Sequence, residues 1–350
     1  MALGTGQRHR DLAALPKAHL HLHFTGSMRP QTLQDLADKH GVRLPAALRE
    51  HRDVRLSPDE RGWFRFQRLY DAARAVVRDA DDMRRIVLEA AQDDATEGSG
   101  WLELQIDPTS YAPFVGGITP ALEIVRDAAR EATAVTGTRV AVVVAASRVR
   151  HPLDARTLAR LAARHAGDGP ADVVGFGLSN DERRGWTADF APAFAIARRA
   201  GLAGVPHSGE LLGADHVAVT LDTLAPDRLG HGVRSVEDPA VLRRVVDAGI
   251  ALEVCPSSNV ALGVYPDAAS VPLARLLDAG ARVALGADDP LLFGHRLVDQ
   301  YRAAREVHGL DDAALAGLAR ASVEASRAPD DVRASLLRGI EAWLAGTNPS

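Results

Sequence analysis

Residues 17–23 read Lys17-Ala18-His19-Leu20-His21-Leu22-His23 and run out at Phe24-Thr25-Gly26. Alternation with a period of two is the mark of a β-strand, whose successive side chains point to opposite faces. His19, His21 and His23 therefore share a face, with His19 the deepest and His23 at the strand end. Two imidazoles so spaced at a strand end can ligate one metal ion, and His19 is expected to be a core or supporting residue.

Outward from this strand, similar short apolar runs recur at 101–107, 139–146, 172–178, 202–207, 228–231, 250–255 and 282–288. Ala/Leu/Arg segments of helical period lie between them, the pattern of a parallel α/β sheet. Eight strands with intervening helices in 350 residues fit a closed (β/α)8 TIM barrel better than an open doubly wound sheet. No glycine-rich phosphate fingerprint follows the first strand, which also weighs against a dinucleotide fold. Residues 1–350 thus read as a single α/β barrel domain.

Residues 24–100 break the regular spacing, separating the first two strands by far more than one βα unit requires. Helical periods over 29–40, 60–77 and 81–98 make this stretch a helical insertion. Loops after barrel strands lie at the active-site face, so the insertion is expected to be a lid. Trp63, Phe64, Phe66 and Tyr70 concentrate aromatics there in a chain only 5% aromatic. Trp63 and Phe66 are expected to wall a planar ligand. The tail Gly346 to Ser350 is expected to be a disordered end.

Composition removes several function classes. The formal charge of −5 gives no electrostatic footprint for nucleic acid or an acidic membrane. Cys255 is the one cysteine, which excludes an internal disulfide and a cysteine-based zinc cage. It also excludes the cytidine-deaminase type of zinc site, which needs a pair of cysteines. No apolar signal segment opens the chain and no run of about 18 apolar residues occurs, so a cytoplasmic enzyme is expected. Self-association is left open.

The strand ends carry the chemistry. His207 closes the fifth strand in His207-Ser208-Gly209-Glu210, where Gly209 permits a tight turn that swings Glu210 over the mouth. His231 closes the sixth between Gly230 and Gly232, and Asp288-Asp289-Pro290 closes the eighth. In a barrel such ends converge on one site. His21, His23, His207 and Asp288 offer three nitrogens and one oxygen, a set suited to Zn²⁺ with a position left for water. Zinc lowers the pKa of that water and makes hydroxide available near neutral pH. Glu210, His231 and Asp289 remain for proton transfer and substrate orientation. Lys17 and Lys39 are the only lysines and neither lies on the fourth strand. A carbamylated lysine bridging two metals there is absent, so one zinc per chain is expected.

The stretch LPKAHLHLHFTG at 15–26, HSGE at 207–210, RLGHG at 228–232, CPSSN at 255–259 and LGADDP at 285–290 resemble the adenosine deaminase family of the amidohydrolase superfamily. The resemblance implies zinc-dependent hydrolytic deamination of adenosine and 2′-deoxyadenosine, with zinc on His21, His23, His207 and Asp288. It implies that Glu210 protonates N1 of the purine, that His231 orients the hydroxide and takes its proton, and that Asp289 meets N7. His23, Thr25 and Asn180 would border the substrate, Asn180 presenting a backbone N–H to N3 from a conformation that asparagine tolerates. Thr25 stands where many members carry an acidic residue for the sugar hydroxyls. That departure keeps free adenine, or a modified nucleoside such as aminodeoxyfutalosine, as the alternative substrate.

Overall fold

In the computed structural model, which describes residues 9–50 and 54–346, the runs of alternating and apolar sequence become eight parallel strands. They are β1 Lys17–His23, β2 Ser99–Ile106, β3 Arg139–Ser147, β4 Val173–Ser179, β5 Ala203–Ser208, β6 Arg228–His231, β7 Ala251–Val254 and β8 Arg282–Leu285. Each pairs with the next in chain order, and a bridge between Leu22 and Asp288 joins β8 to β1. Across that seam the His23 N–H donates to the Asp288 carbonyl at 3.0 Å and the Asp288 N–H to the His21 carbonyl at 3.0 Å. The fold is a single (β/α)8 barrel.

Strands β1 and β6 begin and end where the sequence puts them, and most other ends move by a residue or two. β8 is the larger correction, stopping at Leu285 and not at Asp288. Gly286 passes so close to β1 that a Cβ there would lie 2.6 Å from the His21 Cβ. Asp288 then turns to φ +63°, which regular strand geometry does not allow. The chain leaves the sheet to place that carboxylate.

Between β1 and β2 stand α1 (Pro30–His40), α2 (Ala46–Arg49), α3 (Glu60–Arg74) and α4 (Ala80–Thr96). The short α2 is not visible in the sequence periodicity. The Asp59 side chain caps α3 by accepting from the Gly62 N–H at 2.9 Å, and Asp79 with Asp82 forms a capping box on α4. α3 ends at Arg74, before the expected residue 77, and Val76 and Val77 beyond it are buried.

The apolar core lies between the barrel wall and the surrounding helices, while the barrel interior carries charge. Glu103, Arg228 and Glu253 are fully buried there. The Arg228 guanidinium donates to Glu253 Oε1 at 2.6 Å, to Glu103, and to the Ala325 carbonyl at 2.9 Å. Glu103 Oε1 accepts from Trp101 Nε1 at 3.0 Å and from the Arg327 N–H at 2.7 Å. Buried charge persists only when paired in this way. Helices Asp312–Ala325 and Asp330–Ala345 pack at the same end, and Gly346 caps the second in a left-handed conformation. Gly346 thus ends a helix, and the rest of the expected disordered tail, 347–350, lies outside the described residues. No described helix is long and apolar enough to cross a membrane.

Candidate active site

The chemistry-bearing strand ends gather at one end of the barrel, around a cavity of about 810 Å³. His21 is fixed first. Its Nδ1 donates to Glu253 Oε2 at 2.8 Å, so Nε2 keeps its lone pair and faces the centre of the site. His23 Nε2 lies 3.2 Å from Asp288 Oδ1 and 3.2 Å from His207 Nε2, and His21 Nε2 lies 3.6 Å from the same Asp288 oxygen. A Cβ on Gly230 would meet His207 Nδ1 at 3.0 Å and His21 Cε1 at 3.1 Å, so any side chain there would press these rings out of place. His19 keeps a supporting place: its Nδ1 bonds Asp94 at 3.0 Å and its Nε2 accepts from the Ala287 N–H at 3.1 Å.

Donor atoms of His21, His23 and His207 thus lie within 4.8 Å of one another, Asp288 stands against His21 and His23, and His21 Nε2 is buried without a hydrogen-bond partner. Burial opposes charge on His21, yet the facing carboxylates of Asp288 and Glu253 outweigh it and, with no cation between them, push the imidazole pKa up to about 10. The carboxylates therefore demand a positive charge at this point. His207 goes the other way, held well below the usual range by burial and by the facing histidines His21, His231 and His23. Nitrogen lone pairs crowded around a carboxylate fit a divalent metal ion.

The acids around this centre divide by charge state. Asp288 is held well below the ordinary carboxylate range, because the bonds from His21 and His23 overcome the effect of burial. Glu210 is pushed well above it by burial and by the charges of Asp288 and Glu182, and Asp289 by burial and Asp288. Burial thus favours the protonated form of Glu210 and of Asp289, while the facing histidines favour Asp288 as a carboxylate. His231, pushed down to about 3 by burial and by His21, is a neutral base 3.5 Å from Glu210 Oε1. His231 and Asp288 both sit at positive φ, +64° and +63°, conformations that non-glycine residues rarely adopt.

Asn180 has φ +81°, the left-handed conformation expected for it, and its Oδ1 accepts from the Asp181 N–H at 2.8 Å. Trp63, Phe64, Phe66 and Tyr70 all line the cavity, with Trp63 and Phe66 rings 5.0 Å apart. Thr25 lines it too, but its hydroxyl is taken by the Tyr111 hydroxyl.

Several residues of the site escaped the sequence. Glu182 accepts from the N–H groups of Glu210 at 3.1 Å, Leu211 at 2.9 Å and Leu212 at 2.8 Å, fixing the turn that aims Glu210. Glu253, Arg228, Tyr111 and Gln105 were missed as well. The available signal was a charged or amide residue inside an apolar strand, as in Ala251-Leu252-Glu253-Val254.

A family model described as adenosine deaminase matches residues 16–343. A putative adenosine/adenine deaminase of Streptomyces virginiae is 61% identical over 338 residues, covering 96% of this chain and 99% of its own. An adenine deaminase of Rhizobium leguminosarum bv. trifolii is 36% identical, covering 92% and 98%. Among solved structures, an adenine deaminase from Arthrobacter aurescens superimposes with a TM-score of 0.85 at 29% identity, covering 94% of this chain and 99% of that one.

Proposed function

This chain belongs to the adenosine deaminase family, and from that premise we propose that it hydrolyses adenosine and 2′-deoxyadenosine to the 6-oxopurine nucleoside and ammonia. The observation that carries the reading is the convergence of Glu210, Asp289 and His231 with His23, His207 and Asp288 on one cavity. N1 and N7 of a 6-aminopurine are hydrogen-bond acceptors, so an ionised carboxylate would repel them, whereas protonated Glu210 and Asp289 can donate. Transfer of the Glu210 proton to N1 makes C6 electron-poor. The deprotonated carboxylate is then placed to take the proton of the hydroxyl added at C6 and hand it to the departing amine, which leaves as ammonia while C6 becomes a carbonyl.

His21, His23, His207 and Asp288 would hold one zinc ion, whose Lewis acidity supplies a nucleophilic oxygen at neutral pH. The absence of lysine from β4 favours one ion over a carbamate-bridged pair. His231, 3.5 Å from Glu210 Oε1, would orient the attacking water and help to take its proton, which a bound metal would make easier to lose. Asn180 supports the N3 edge, and Trp63 and Phe66 cover the ring, with α1 to α4 as the lid. A cavity of about 810 Å³ leaves ample room beyond a purine base for the sugar.

Free adenine is the second reading, and a specific observation favours it: Tyr111 already occupies the Thr25 hydroxyl that would otherwise face the sugar. Ammonia release by the zinc-loaded protein from adenosine, 2′-deoxyadenosine, adenine and aminodeoxyfutalosine separates the readings. We expect the highest kcat/KM with adenosine; adenosine as the slowest substrate would sink the proposal.

A further inference from the structure

On the β2–β3 wall of the cavity one buried side chain has no partner. Gln105 is 1% exposed, and neither its Oε1 nor its Nε2 makes a hydrogen bond. Its backbone is fully engaged: it pairs with His23 in the barrel register, and its carbonyl accepts from the Phe24 N–H at 2.8 Å. The carboxamide is therefore held at the height of His23 with both its ends unsatisfied. A buried amide in that state is costly, and native proteins keep one where a ligand or water completes it.

The surroundings make room for a ligand. Across from the amide stand two small residues, Ala145 on β3 and Gly177 on β4, and a Cβ on Gly177 would lie 3.5 Å from Gln105 Oε1. Higher on β3, the Ser147 hydroxyl is also buried without a partner and also lines the cavity. In the strand order β2 and β3 stand opposite β6 and β7, and β1 lies between this wall and the β8 end that carries Asp289. If Glu210 and Asp289 take N1 and N7, these neutral groups are left for a different part of the substrate. A carboxamide offers a donor and an acceptor side by side, and a vicinal diol offers the same pair in return.

We infer that Gln105, with Ser147 above it, reads the ribose hydroxyls of the substrate. The inference rests on the nucleoside reading given above. The amide N–H donates to one hydroxyl and the amide oxygen accepts from its neighbour, while Ser147 serves the remaining sugar oxygen. Free adenine would instead present its N3 and N9–H edge to the same amide.

Steady-state deamination of adenosine, 2′-deoxyadenosine and adenine by the zinc-loaded wild type, Gln105→Met and Ser147→Ala tests it. Gln105→Met should raise the KM for adenosine about tenfold and leave its kcat within about a factor of two. The rise should be smaller for 2′-deoxyadenosine, and the adenosine-over-adenine ratio of kcat/KM should fall about tenfold. Adenine suffering as much as adenosine would assign the amide to the base edge, and an unchanged KM would assign it to water; either overturns the inference. A wild type inert towards adenosine sinks the nucleoside reading and this one with it. Active wild type beside a Gln105→Met enzyme of unchanged KM sinks only this one. Product inhibition of the wild type gives an arm free of mutation. Inosine should bind more tightly than 2′-deoxyinosine and hypoxanthine, and equal inhibition constants would count decisively against a sugar-reading wall.

Discussion

Glu253 touches no cavity surface, yet it decides how His21 is presented. Its Oε2 accepts the His21 Nδ1 proton at 2.8 Å while its Oε1 is held by Arg228 at 2.6 Å. Burial alone would favour its neutral form, but Arg228 and His21 keep its pKa below the ordinary carboxylate value. The charge both orients the imidazole and raises its basicity towards a cation. Glu253→Gln preserves the shape and an accepting oxygen but removes the charge and leaves Arg228 with Glu103 alone. We expect about 10- to 100-fold weaker metal binding, read by competition with a chelator on the folded variant. Metal affinity equal to wild type would mean that Glu253 only balances Arg228 in the barrel interior.

At the scale of elements, α3 is tied down by one residue and exposes another. Phe66 is buried and stacks on Phe293, with ring planes 11° apart and centroids 5.6 Å apart, just beyond Asp289. Phe64, two positions earlier on the same helix, is 63% exposed while still lining the cavity. Phe66→Ala should cost about 3–5 kcal/mol of stability, whereas Phe64→Ala should stay within about 0.5 kcal/mol. If α3 is a lid, Phe64→Ala should nonetheless raise KM several-fold, and chemical denaturation alongside kinetics separates the two effects. An unchanged KM in a stable Phe64→Ala protein would make α3 a fixed wall. The strands and the helices α1, α3 and α4 were legible because periodicity is a local property of the chain. His21, His23, His207 and Asp288 were legible because rare polar residues end strands whose fold brings those ends together. The Arg228 network was not, since its partners lie 25 and 125 residues away and only closure of the barrel joins them. Gln105 and Glu182 were hidden for a related reason: amide and carboxylate residues are common, and what distinguishes these two is burial.

The whole molecule puts charge to use at both ends of the barrel. Above, carboxylates and imidazoles face the cavity; below, Lys17 closes the floor at the start of β1. Its ammonium donates to the carbonyls of Leu12 at 2.9 Å and Glu97 at 2.5 Å and lies 5.3 Å from the centre of the Tyr301 ring. Burial lowers its pKa to about 8 from 10.5, against the opposing fields of Glu97, Asp94 and Asp11. Between those two values the unfolded chain holds a proton that the folded chain has released, so stability from this group rises with pH. Buried Tyr301, raised by burial above the ordinary tyrosine value, acts oppositely at higher pH, because there the unfolded chain loses a proton that the folded chain keeps. The useful window therefore runs from pH 8 to about 9.5, over which Lys17 should contribute about 2 kcal/mol of added stability. Lys17→Met also forfeits the two carbonyl bonds, so the slope against pH and not the absolute stability carries the test. Denaturant midpoints of wild type should climb across the window relative to those of Lys17→Met. Parallel slopes would show that the ammonium finds enough compensation among its carbonyls and Tyr301 to keep its proton, and that the barrel floor is insensitive to pH.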